Sequence, residues 1–123
     1  IWSDTFENFK AFLLKIPQPT ISQFVFDQVT HEHDIRHAIS QPGARDSRAI
    51  AVAEGFVRDL IARNPDPEIN ALADSPIIGF DFVRSFTGRR SKAQIAELGL
   101  PAETVAAFIR TSPFDIPAES IVE

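Results

Sequence analysis

Eight successive positions, residues 27 to 34, hold two histidines and three carboxylates inside a run that otherwise has helical spacing. The direction in which such a helix turns its polar groups decides what the rest of a short chain can pack against it. Asp27 and His31 are four apart, so they share one face, one turn above the other. Asp34 continues the stripe. At about 100° per residue, Ile21, Phe24, Ile35, Ala38 and Ile39 form one broad apolar arc. His31 falls inside that arc, and Asp27 and Asp34 fall at its edge. The spacing therefore predicts that Asp27 and His31 point into one inward-facing cavity. His33 and His37 are also four apart but fall on the opposite side, where they are expected to face solvent. Gln28 and Glu32 intrude on the apolar arc, so the helix is an impure amphipath.

A carboxylate and an imidazole on one helical face can bind a metal ion. Asp27 and His31 would be two ligands, with Asp34 as a further one, and at least one more must come from elsewhere. The same pair also has a purely structural use, as an intrahelical contact on a solvated face. The His33 and His37 pair is the other metal-binding candidate, but its face lacks apolar company.

Local signals divide the chain into helices. Asp4 to Glu7 has the form of a capping box, and Phe6, Phe9, Leu13 and Ile16 follow at helical spacing. Pro17 and Pro19 end that helix. Thr20 to Gln23 is a second capping box, opening a helix over residues 20–40. Residues 41–45 form a loop. Asp46 or Ser47 caps a helix over 47–63, whose apolar positions Ala49, Ile50, Ala53, Phe56, Val57, Leu60 and Ile61 make the cleanest stripe in the chain. Pro65 and Pro67 break it. A short helix near 67–72 and another over 80–86, stopped by Gly88, come next. Ser91 to Gln94 is a third capping box, and Pro101 opens a last helix. The segment after Ser112, with Pro113 and Pro117, is expected to be extended. The class is mainly α, with a bundle segment over 1–64 and a helical C-terminal extension over 65–123, together one compact domain. Phe24, Ile35, Ala53, Phe56 and Leu60 are the expected core.

With 123 residues, 44% of them hydrophobic, the chain suits a single core of modest size. A net charge of −5 argues against a nucleic-acid partner. No apolar run approaches the roughly 20 residues of a membrane span. Cysteine is absent, which excludes a disulfide framework and a cysteine nucleophile and fits a cytoplasmic location. No nucleophile elbow or phosphate-binding glycine loop is present. Arg89 and Arg90 follow Gly88. They are either a C-terminal helix cap or a clamp for an anion, since guanidinium pairs with carboxylates through two hydrogen bonds.

Two runs carry a resemblance. Phe26-Asp27-Gln28-Val29-Thr30-His31-Glu32-His33-Asp34-Ile35-Arg36-His37-Ala38, followed by Gln41-Pro42-Gly43-Ala44-Arg45-Asp46-Ser47, resembles the mycothiol-dependent maleylpyruvate isomerase family of the DinB-like metalloprotein superfamily. Phe86-Thr87-Gly88-Arg89-Arg90-Ser91-Lys92-Ala93-Gln94-Ile95 resembles the same family's C-terminal signature. The resemblance covers residues 20 to 110. It implies a four-helix bundle around a divalent metal, zinc or nickel, with mycothiol as thiol cofactor. An early-helix histidine joins an acidic residue and a histidine four apart, which match Asp27 and His31 here. Asp27 is shorter than the glutamate often found at that position. The early helix has no counterpart before Ile16, and the chain begins with Ile1. The resemblance thus implies the C-terminal portion of a DinB-like bundle lacking its N-terminal helices.

The implied activity is a thiol-using transferase or isomerase. The metal would activate a thiolate against a small anionic electrophile, and Arg89 or Arg90 would hold that substrate's carboxylate. The alternative is a non-catalytic helical interaction module that keeps the fold but lacks a complete metal site. Either way, a half-bundle exposes the face that absent helices would cover. A homodimer, or association with a missing N-terminal part, is expected.

Overall fold

The computed structural model describes residues 2–123; Ile1, on which the expectation of a longer parent chain partly turns, lies outside the described residues. All regular structure among them is helical. Helix α1 spans Trp2–Leu13, so Asp4 lies inside its first turn instead of capping it. Helix α2 spans Gln18–Ala38. It starts at Pro17, whose extended backbone and following proline fix the first turn. The expected box at Thr20 and Gln23 therefore falls inside the helix. Helix α3 spans Arg48–Ala62, and the Ser47 hydroxyl accepts the Ile50 N–H at 3.3 Å. The short α4, Pro67–Asn70, is capped by Asp66 and runs into a 3₁₀ turn, Ala71–Asp74. Helix α5 spans Gly79–Phe86, α6 Lys92–Glu97 and α7 Ala102–Ile109. The box at Ser91 and Gln94 forms in full at the start of α6.

The core is built around α3. Ile50, Ala53, Val57 and Ile61 are all buried along one stripe, as their spacing predicts. Against them lie Phe26 and Val29 of α2, Phe82, Val83 and Phe86 of α5, and Val105 and Ile109 of α7. This single cluster takes residues from both sides of position 64. Arg58 ties the connection before α5 to α3. Its guanidinium donates to the carbonyls of Ala73 at 2.6 Å, Ser75 at 3.2 Å and Ile77 at 2.6 Å, and lies over the Phe82 ring. Glu54, paired with Arg58, accepts the Gly79 N–H at 2.6 Å, so an acidic side chain closes the start of α5.

Helix α2 is rotated from the expected orientation. Its buried residues are Phe26, Val29, Thr30 and His33. Phe24 and Ile35, expected in the core, are 54% and 60% exposed, and Ile39 is also exposed. Leu60 of α3 is exposed too, while Ala53 is buried and Phe56 half-buried. The reason lies in the polar residues of the inner face. Thr30 is satisfied within the helix, its hydroxyl donating to the Phe26 carbonyl at 2.9 Å. His33 packs edge-on against Phe80, with centroids 4.8 Å apart. Neither side chain bars burial, so the face with Phe26 and Val29 goes inward. Helix α1 buries none of its residues, and Trp2, Phe6, Phe9 and Phe12 are all exposed. The expected side-by-side packing of three helices therefore holds for α2 and α3 only.

Candidate functional site

The end of α5 and the loop after it place three arginines around two carboxylates. Gly88 takes a left-handed backbone with φ of 72°, which turns the chain sharply after α5. A side chain there would run into the Asp115 carbonyl. Arg89 then reaches back to α2. Its Nη2 donates to Asp34 Oδ2 at 2.6 Å and its Nε to Oδ1 at 3.2 Å, a two-point pairing. Its Nη1 also caps the Thr87 carbonyl at 2.5 Å, and its guanidinium lies 4.9 Å from the Phe114 ring. Arg84, 1% exposed, shares Asp34 at 3.0 Å and donates to the Thr30 carbonyl. Arg84 also grips Glu123 through Nε at 3.0 Å and through Nη2. Arg90 completes the network, donating to Glu123 Oε2 at 2.6 Å, with Asp81 at 3.7 Å.

Each carboxylate has a lowered pKa. Burial by itself would raise both. The hydrogen bonds and charges of Arg89 and Arg84 outweigh it at Asp34, and those of Arg84 and Arg90 outweigh it at Glu123. His33 is also shifted down, first by burial and then by the positive charge of Arg84. Both effects favour the neutral imidazole beside Phe80.

The residues expected to share a metal line different hollows. Asp27 is half-buried at the edge of a groove of about 460 Å³ between α2, α3 and the segment near Phe114. That groove is faced by Phe26, Phe56, Phe86, Phe108 and Phe114. His31 is exposed in a different, shallow hollow with Gln28, Ile35 and Ile39. The single inward cavity is thus corrected. Residues four apart point about 40° apart, and the rotation of α2 sends one to the groove and the other to the surface. Asp34 belongs to the arginine network instead. His33, expected in solvent, is buried, while His37 is exposed as expected. Among the described residues, no three His, Asp or Glu side chains gather where they could hold a metal ion.

Arg89 and Arg90 do clamp carboxylates, but those of this chain. Neither is directed at Asp27 or His31. Sequence reasoning passed over Arg84, whose signal was its place among Phe80, Val83 and Phe86 on a short helix, a position a cation occupies only with partners. It also passed over Glu123, which carries no local signal at all.

No helix among the described residues is long and apolar enough to cross a membrane. Comparisons with family models, with curated proteins and with solved structures find no match to this chain.

Proposed function

We propose that this chain is one part of a larger helical bundle, to which it brings two metal donors, and that the completed bundle is a thiol-using transferase or isomerase of the mycothiol-dependent maleylpyruvate isomerase type. One observation carries this reading. The outward face of α2 presents exposed Phe24, Ile35 and Ile39 together with His31, and Asp27 lies at its flank. Apolar side chains in such a stripe are expected to be covered, and a covering helix would bring its own side chains up to Asp27 and His31. Zinc or nickel suits that donor set, with imidazole and carboxylate as ligands. Taken alone, two donors in separate hollows do not make a site. The chain's own contribution is the half-site and the face around it.

A second reading has its own support. A helical interaction module without catalysis needs only the exposed faces of α1 and α2, and among the described residues no group of three His, Asp or Glu side chains could hold a metal ion. Metal binding separates the two. On the first reading, protein dialysed against zinc or nickel retains metal in its associated form. Asp27→Ala and His31→Ala each lower that retention by about tenfold or more, at least the loss that follows removal of a group merely supporting a ligand, whereas His37→Ala does not. Metal retention indifferent to both Asp27 and His31 would leave the interaction module as the better account.

A further inference from the structure

Glu123 sits as a bound carboxylate ligand would sit. Its side chain is 4% exposed, and its two oxygens take donors from Arg84 and Arg90. The residues leading to it are held by three hydrogen bonds. Gln94 donates to the Ile121 carbonyl at 2.7 Å and accepts the Ile121 N–H at 3.1 Å, and the Ser91 and Ser120 hydroxyls are 3.0 Å apart. Val122 is 84% exposed, and residues 119 and 120 are exposed as well. The carboxylate is the charged anchor of this irregular segment.

Beside it opens a hollow of about 230 Å³, faced by His33, Arg36, His37, Arg45, Phe80 and Glu123. That is the volume of about seven or eight liquid waters, enough for a small organic acid. The guanidinium groups of Arg45, Arg90 and Arg84 lie 4.6, 5.5 and 5.8 Å from the centre of the Phe80 ring. Among the described residues no carboxylate lies within 4.0 Å of Arg45. The mouth of the hollow thus carries a cation with no acidic partner, next to a receptor already filled by an acid.

We propose that Arg84 and Arg90 form a receptor for a small carboxylate, that Glu123 is its displaceable internal occupant, and that an incoming acid with a second anionic end takes Arg45 as well. The hollow shares only Arg36 with the one that holds His31, and nothing with the groove that holds Asp27. The proposal therefore stands apart from the metal reading. Its consequence is a latch: binding of the acid frees residues 120–123 from α6.

Titration of the full chain with succinate, followed by backbone amide NMR, tests this. In the native sequence, saturating succinate should move the amides of residues 121–123 toward unstructured positions. Glu123→Gln and Glu123→Ala should bind succinate about tenfold or more tightly than the native chain, since a charge-assisted occupant no longer competes. Arg45→Ala in the Glu123→Gln background should erase the preference for succinate over acetate. Equal binding of inorganic phosphate and succinate would mean a general oxyanion site and overturn the carboxylate assignment. If succinate leaves residues 121–123 in place and Glu123→Gln gains no affinity, the latch is wrong. Should Glu123→Ala fail to fold, displacement in the native chain and the Glu123→Gln affinity still decide the matter.

Discussion

Arg84 cannot be read as a free-standing cation. At 1% exposure it is stable only because Asp34 and Glu123 share its charge, and the carboxylates in turn depend on Arg89 and Arg90. This ties stability to pH through named groups. A group with a depressed folded pKa contributes stability above its unfolded pKa and loses it as pH falls toward the folded value. His33 begins to lose its contribution as pH drops below its ordinary value of 6.5. Asp34 and Glu123 follow only in the acid range below ordinary carboxylate values. Denaturant midpoints should therefore fall in two stages between neutral and acid pH. His33→Phe should remove the first stage and leave the second. An unchanged first stage in His33→Phe would mean that another group titrates there. The network was half legible in the sequence: Asp34, Arg89 and Arg90 were each marked, but for separate tasks. Their pairing needed the turn at Gly88 and a carboxylate 33 residues beyond Arg90, and separations of that kind leave no periodic trace.

At the scale of helices, spacing located the elements better than it oriented them. The stripe of α3 was read correctly because one face is apolar and the other is not. Helix α2 has apolar residues on two faces, so the wheel could rank them but not choose. The winning face carries Thr30 and His33, which look polar in sequence; the Thr30 hydroxyl is satisfied by a backbone carbonyl, and His33 packs against the Phe80 ring at the wall of a hollow. Two phenylalanines two positions apart should separate the orientations in the lone chain. Phe26, buried against Phe56 and Phe114, should cost about 3–5 kcal/mol when replaced by alanine. Phe24→Ala should stay within about 0.5 kcal/mol, as surface changes do. Urea unfolding of the two variants at low protein concentration checks both, and the reverse ranking would refute the rotation of α2. Caps show the same division. The Ser91 box formed because α6 begins where its residues are, whereas the Thr20 box was pre-empted by a proline start three residues earlier.

For the molecule as a whole, two helices expose more apolar surface than a self-sufficient domain needs. Phe6, Phe9 and Phe12 on α1 and Phe24, Ile35 and Ile39 on α2 are each more than half exposed. Aromatic side chains bury about 150–250 Å² each when fully covered, so each stripe leaves on the order of a few hundred Å² for a partner to cover. A dimer, or a complex with further helices, follows as the expected state. Sedimentation velocity at micromolar concentration should show association. Replacing Phe24 and Ile35 with glutamate together should shift it toward monomer without unfolding the α3 core. A native chain that stays monomeric would remove the ground for the bundle proposal.

The placement of Trp2 has a practical corollary. It is the chain's one tryptophan, it is 86% exposed, and it rides on a helix that buries nothing. Its fluorescence is therefore blind to the melting of the phenylalanine core. It is a sensitive optical reporter of α1 being covered: emission should shift to the blue as the protein is concentrated, at the same concentrations where sedimentation reports association, and remain red when the isolated chain is diluted.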